Sequence, residues 1–113
     1  MRVVRLTRHV ASEEQLRELR RIYGEDVEVV EVSETVPNVG RVKEIVSEHG
    51  ADVLEAVLPL PVIAEAVKPH SGIGIPVIRA KMTRELDESG NNATFSLSHY
   101  EQVERVVIET IRL

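Results

Sequence analysis

The consecutive residues Thr7, Arg8 and His9 carry side chains that could bind and process a phosphate group. An arginine guanidinium can donate paired hydrogen bonds to phosphate oxygens, and a histidine can accept or donate a proton near neutral pH. We therefore predict catalytic roles for Arg8 and His9 and a ligand-binding role for Thr7. The alternative is that His9 is an ordinary exposed loop histidine, and the residue types alone leave both interpretations open.

Residues from other parts of the chain could complete such a site. The further candidates for ligand binding are Asn38, Pro59, Leu60, Pro61, His70, Ser71 and Arg79. Asn38 and the Pro59–Pro61 segment each lead into a predicted helix, whose first backbone N–H groups favour an anion. His70 and Ser71 belong to a loop that could reach over a ligand. Arg79 alternates with apolar residues on a predicted strand, which is ordinarily the pattern of a solvent-facing side.

Several kinds of chemistry are excluded or lack support in the sequence. The chain has no cysteine, which excludes thiol nucleophiles, thiolate zinc sites and disulfides. The histidines do not have the spacing of metal ligands on a helix, so we predict no metal and no cofactor. The loop at residues 70–74 lacks the third glycine and the following helix of a dinucleotide-binding loop.

Composition indicates one folded domain over residues 1–113, with 42% hydrophobic and 29% charged residues. The formal net charge of −5 argues against a long nucleic acid as partner, since such a surface would be basic. We see neither a secretory signal nor an apolar run near 18 residues, and we therefore expect a cytoplasmic protein with no membrane partner. The abundance of Glu, Arg and Val favours a thermophilic source.

Apolar periodicity predicts alternating strands and helices, and hence an α/β fold. The predicted strands are Val3–Leu6, Val27–Val32, Asp52–Leu58 and Pro76–Arg84, and the predicted helices are Glu13–Tyr23, a second from Pro37-Asn38 to Gly50, and a short third through Val67. We expect a Rossmann-like three-layer sandwich with a mostly parallel sheet. If the strand order is flavodoxin-like, the first and third strands are neighbours, and the loops after them line one crevice.

The last third of the chain has a different pattern. The turn-forming residues 87–92 precede an alternating stretch at Thr94–His99, which predicts an antiparallel C-terminal hairpin. Residues 101–112 fit either a helical face or a strand. Their richness in β-branched residues favours a strand.

Most of this layout resembles the small stand-alone CRISPR-associated proteins related to CARF domains, including ring-nuclease-like families. The matching segments are Thr7-Arg8-His9, Glu14-Gln15-Leu16, Leu58-Pro59, Ile63-Ala64-Glu65-Ala66-Val67 and Pro76-Val77-Ile78-Arg79. Their order and spacing cover nearly the whole chain, and the resemblance is at the level of a superfamily.

The resemblance implies a homodimer that binds a cyclic oligoadenylate, or another phosphate-bearing small ligand, across its two-fold axis. Such proteins sense the ligand or cleave it without a metal, by attack of a ribose 2′-hydroxyl on the adjacent phosphate. Arg8 would then neutralise phosphate charge, and His9 would act as a general acid or as a hydrogen-bond donor to the phosphate. The alternative is a non-catalytic module that binds a nucleotide-like regulator or serves as a structural dimer.

Overall fold

The computed structural model describes residues 1–107 and 109–113, in which the chain forms five strands and three helices. The strands are β1 (Arg2–Leu6), β2 (Glu28–Val32), β3 (Val53–Ala56), β4 (Val77–Leu86) and β5 (Ala93–Gln102), and the helices are α1 (Glu13–Tyr23), α2 (Val39–His49) and α3 (Leu60–Ala66). The α/β fold predicted from the sequence is confirmed.

The strands form one mixed sheet in the order β2-β1-β3-β4-β5. The first four strands in this order are parallel, and β5 pairs antiparallel with β4. Because parallel strands place their carboxyl ends at the same edge, the segments after β1, β2 and β3 lie side by side.

Capping residues fix the ends of the two long helices. The Ser12 hydroxyl accepts from the backbone of Gln15, and the Gln15 side chain accepts from the backbone of Ser12, so α1 begins with a capping box. The Asn38 side chain caps α2, and Gly50 ends it in the left-handed conformation that favours glycine. The predicted bounds of α1 are confirmed residue for residue.

Side chains on opposite faces of the sheet pack into separate hydrophobic clusters. One cluster contains Val4 and Leu54 from the sheet with Ile45 from α2 and Ala66 from α3. The other contains Val3, Val53 and Ile78 with Leu19 from α1. Since side chains alternate along a strand, residues 5 and 55 project on the same face as α1.

The β4–β5 hairpin extends beyond the rest of the fold. Most of its residues after Ile78 are exposed, and the radius of gyration is 15.6 Å, against about 13 Å for a compact chain of this length. Lys81 pairs with His99 while Met82 pairs with Leu97, so Ser98 is the extra residue of a β-bulge. A bulge bends a strand, and beside it the Leu97 N–H donates to Glu14 of α1 at 3.1 Å.

The expectation of a strand over residues 101–112 is confirmed at residues 101 and 102 and is wrong for residues 103–107 and 109–112. β5 continues past the predicted His99 to Gln102, but residues 103–107 and 109–113 form neither strand nor helix. The Val103 N–H donates to the Val77 carbonyl, after which the segment leaves the sheet. Ile108 lies outside the described residues. The β-branched composition misled because strand preference depends on a pairing partner and a buried face.

Within the part of the chain that the structure describes, no helix combines the length and apolar character needed to cross a membrane.

Candidate functional site

A cleft lies at the carboxyl ends of β1, β2 and β3, and we call it the β1–β3 cleft. It has a volume of about 260 Å³. Its lining residues are Leu6, Thr7, Arg8, His9, Glu34, Thr35, Val36, Val57, Leu58 and Pro59. β1 and β3 are neighbours in the sheet, and this places the loop that carries Arg8 and His9 against the segment that leads into α3.

Hydrogen bonds hold the backbone of the Thr7–His9 loop in place. The His9 N–H donates to Thr7 Oγ1 at 3.3 Å, and Arg5 Nη1 donates to the His9 carbonyl at 3.0 Å. Arg8 is exposed, and one of its nitrogens donates to Thr35 Oγ1 at 2.6 Å. A guanidinium has five N–H donors, so Arg8 keeps donors for an anion while Thr35 fixes its direction.

The acidic residue in this cleft, Glu34, is ion-paired with an arginine. Glu34 accepts hydrogen bonds on both carboxylate oxygens from Arg41 of α2, one of them at 2.8 Å. Those hydrogen bonds hold the pKa of Glu34 below its usual range. Arg41 also pairs with Glu44 and Glu48, so it offsets only part of the Glu34 charge and only partly reduces the repulsion that Glu34 would exert on a bound phosphate.

The other predicted ligand residues are placed at several locations. Asn38 caps α2 through a 3.1 Å hydrogen bond from the Arg41 N–H. Leu60 borders a different cleft together with Arg79, whose guanidinium is ion-paired to Glu101 at 3.1 Å. Pro61 lies in the first turn of α3. Thus Pro59 lines the β1–β3 cleft, whereas Leu60, Pro61 and Arg79 are not among the residues that line it.

His70 and Ser71 lie in the loop between α3 and β4, outside the lining of the β1–β3 cleft. The glycine that follows them has a packing role. A Cβ at Gly72 would lie 2.3 Å from the carbonyl oxygen of Ala66, so any larger residue would force the loop away from α3. This close approach explains why the residue is glycine, and a nucleotide-binding role is not needed to account for it.

Sequence reasoning missed a buried ionic network on the α1 face of the sheet. The Arg5 and Glu55 side chains are 3% and 1% exposed, and they share two hydrogen bonds, from Nε at 3.0 Å and from Nη2 at 3.2 Å. Arg5 Nη1 also donates to Glu31 at 2.7 Å, and the Tyr100 hydroxyl donates to Glu55 at 2.8 Å. The signal that could have revealed it is a charged residue between apolar neighbours on each of three adjacent strands, an arginine on β1 and a glutamate on β2 and on β3.

Burial and charge shift two pKa values in this network. Burial alone would lower the pKa of Arg5, but hydrogen bonds and attraction from Glu55 and Glu31 outweigh it and raise that pKa. Burial, the charge of Glu55 and its hydrogen bond raise the pKa of Tyr100 well above its usual range. Arg5 therefore remains a cation and Tyr100 remains a neutral donor across the physiological range.

A larger cleft lies on the other side of the Thr7–His9 loop, and we call it the α1-face cleft. Its volume is about 580 Å³. It is lined by Arg5, Thr7, His9, Val10, Ser12, Gln15, Glu55, Val57, Arg79, Ala80, Met82 and Phe95. The Arg5–Glu55 pair, the first turn of α1 and the hairpin therefore all border one space.

The described residues contain no group of three or more His, Cys, Asp or Glu side chains placed to hold a metal ion. Comparisons with protein-family models, with curated proteins and with solved structures found no match to this chain.

Proposed function

We propose that this protein binds a phosphate-bearing small molecule in the β1–β3 cleft, with Arg8 as the principal phosphate contact. The observation that carries the proposal is the placement of Arg8, exposed and directed by Thr35, at the carboxyl ends of adjacent parallel strands. Ligands of open α/β sheets bind outside these ends, where the strand order reverses. In the order β2-β1-β3 that reversal falls between β1 and β3.

The scaffold in this proposal is a Rossmann-like three-layer sandwich. Its support is the division of the helices, with α1 in one hydrophobic cluster and α2 and α3 in the other. Such layering covers both faces of the parallel strands and leaves their carboxyl edge open for a ligand.

We propose a cyclic oligoadenylate as the ligand and a two-fold homodimer as the binding unit. A cleft of about 260 Å³ is smaller than the usual range for a drug-sized ligand, so one chain can hold one phosphate and part of its nucleoside. A ring of several nucleotides needs a second copy of the cleft. The long hairpin supports dimerisation, because beyond Ile78 it is a two-stranded ribbon of mostly exposed side chains, and packing against a second chain would stabilise it.

Cleavage of the bound ring is the second candidate activity, and the fixed backbone of His9 favours it. In this reaction the ribose 2′-oxygen forms a bond to phosphorus, the bond from phosphorus to the 5′-oxygen breaks, and the 2′-hydroxyl proton passes to water. His9 would donate a proton to the departing 5′-oxygen. Non-catalytic binding is the alternative, and it is supported by the lack, among the described residues, of a side chain hydrogen-bonded to the His9 ring.

The experiment is incubation of the protein with cyclic tri-, tetra- and hexa-adenylate, with binding measured by calorimetry and products by chromatography. We expect one ring to bind with one ligand per two chains, and light scattering to show a dimer. Failure of all three rings to bind would eliminate the cyclic oligoadenylate. A stoichiometry of one ring per chain would contradict the two-fold site.

A further inference from the structure

We propose that the α1-face cleft is a second binding site, which takes an uncharged, flat aromatic or heteroaromatic molecule with a hydrogen-bond acceptor on its edge. This site shares Thr7, His9 and Val57 with the lining of the β1–β3 cleft, but it does not rest on the phosphate binding proposed there. Its volume of about 580 Å³ falls within the range of small-molecule sites.

The cleft collects large apolar side chains that are left open to solvent. Val10, Val57, Met82 and Phe95 line it, and Phe95 is 62% exposed. Scattered exposed apolar residues need no explanation, but a contiguous set around one concave space marks a binding site. A phenyl ring and a thioether both pack well against an aromatic ligand.

Gln15 supplies a directed hydrogen-bond donor to this space. The residue is 8% exposed, and its Oε1 accepts from the Ser12 N–H at 2.8 Å, which fixes the orientation of the amide. Among the described residues, its Nε2 has no hydrogen-bond partner. No fully buried side-chain nitrogen or oxygen of those residues lacks a partner, so Nε2 keeps some contact with solvent, and Gln15 is one of the residues that line the cleft. A ligand acceptor would satisfy it.

The charges around the cleft exclude an anion as the preferred ligand. Arg5 is paired with Glu55 and also with Glu31, so this network has more negative than positive charge. The remaining arginine, Arg79, is paired with Glu101. With each cation already matched, a bound anion would meet carboxylates without gaining a free partner. A neutral ring avoids that cost.

The hairpin forms one wall of the cleft, and its position is fixed by contact with α1. The bulge at Ser98 and the hydrogen bond from the Leu97 N–H to Glu14 hold Met82 and Phe95 opposite the first turn of α1. The wall is therefore assembled before a ligand arrives, which reduces the entropy cost of binding.

The test uses 7-methoxycoumarin, a neutral fluorescent ring with a carbonyl acceptor, titrated into the full chain. Its anionic analogue 7-methoxycoumarin-3-carboxylate serves as the charge control. We expect the neutral probe to bind and the anionic probe to bind at least about tenfold more weakly. Absence of binding of the neutral probe up to about 1 mM, or equal binding of both probes, would overturn the proposal. Neither probe has a phosphate, and Arg8 does not line the α1-face cleft, so this outcome does not depend on the phosphate contact proposed for Arg8.

The variants Gln15→Glu and Phe95→Ala locate the site. Glutamate at position 15 keeps the acceptor that caps α1 but removes the N–H donor, so we expect the helix to remain intact and the neutral probe to bind at least about fivefold more weakly. Phe95→Ala removes the aromatic wall and should also weaken binding. Leu86→Ala is the matched control, since Leu86 is 57% exposed on the same hairpin and does not line the cleft. Unchanged affinity in both test variants, with thermal unfolding confirming the fold, would place the probe elsewhere.

Discussion

Arg5 on β1 and Glu55 on β3 are joined by two hydrogen bonds in a position where both side chains are nearly inaccessible to water. The two residues are also direct register partners in the parallel sheet. Their pairing therefore depends on correct alignment of the strands, since a shift of one strand by one residue would place the two charges on opposite faces of the sheet.

We expect Glu55→Gln to destabilise the protein by about 3–5 kcal/mol, because it leaves Arg5 buried with one matching charge removed. Urea unfolding monitored by circular dichroism measures this. The control is Glu28→Gln on β2, where the pair with Arg2 is exposed on both sides and should contribute at most about 1 kcal/mol. Equal effects of the two substitutions would contradict the importance of the buried pair.

The free energy of unfolding should decrease above about pH 10, and the ionisation of Tyr100 should account for part of that decrease. The pKa of this hydroxyl is raised in the fold by burial and by Glu55, whereas in the unfolded chain it titrates at its ordinary value. Its stabilising contribution is therefore complete below that ordinary value and is lost as the pH rises beyond it. Unfolding free energies of wild type and Tyr100→Phe, compared between about pH 9 and pH 11, should show a shallower decline in the variant. Parallel declines would exclude Tyr100 as the cause.

The turn of the hairpin offers a prediction at acid pH. Hydrogen bonds from Ser89 and Asn92, together with backbone N–H groups, lower the pKa of Asp87 to about 2. The turn should therefore keep its structure above the ordinary aspartate pKa and lose it as the pH falls through that lowered value. The amide shift of Asn91, which donates to Asp87, should titrate with a midpoint near 2. Ser89→Ala removes the largest cause and should move the midpoint upward.

Local signals were sufficient to predict parts of this fold. α1 was predicted to the residue because Ser12, Gln15 and Gly24 determine its ends within their own neighbourhood. The partnership of Arg5 with Glu55 could not be predicted in the same way, since 50 residues separate them and the pairing requires the strand register. The prediction of a strand beyond Gln102 failed for a related reason, because such a strand would need a pairing partner, and the described part of the sheet does not provide one.

The candidate site was likewise predicted in part. The sequence placed the loops after the first and third strands side by side on the condition that β1 and β3 are neighbours, and they are. It did not predict that α3 begins at Leu60, so that Leu60 faces a different cleft from Pro59. The α1-face cleft was missed because the bulge at Ser98, which positions the hairpin, has no clear sequence signal.

Arg8→Ala should weaken binding of the cyclic oligoadenylate roughly ten- to a hundredfold, since a charge-assisted contact to phosphate is worth about 1.5–3 kcal/mol. Arg17→Ala is the matched control, because Arg17 is an exposed arginine on α1, away from the β1–β3 cleft. Calorimetry at fixed salt compares the two. Equal loss in both variants would indicate a general effect of net charge rather than a contact made by Arg8.

If the bound ring is cleaved, His9→Ala should slow turnover by roughly a hundredfold or more while weakening binding much less. The reason is that a general acid acts on the leaving oxygen in the transition state, whereas the contacts that hold the ring remain. Single-turnover cleavage followed by chromatography separates the rate from the affinity. His49→Ala, at the end of α2, controls for loss of a histidine elsewhere. Full cleavage by the His9→Ala variant would show that another group donates the proton, and an equal loss of rate and affinity would assign His9 to binding.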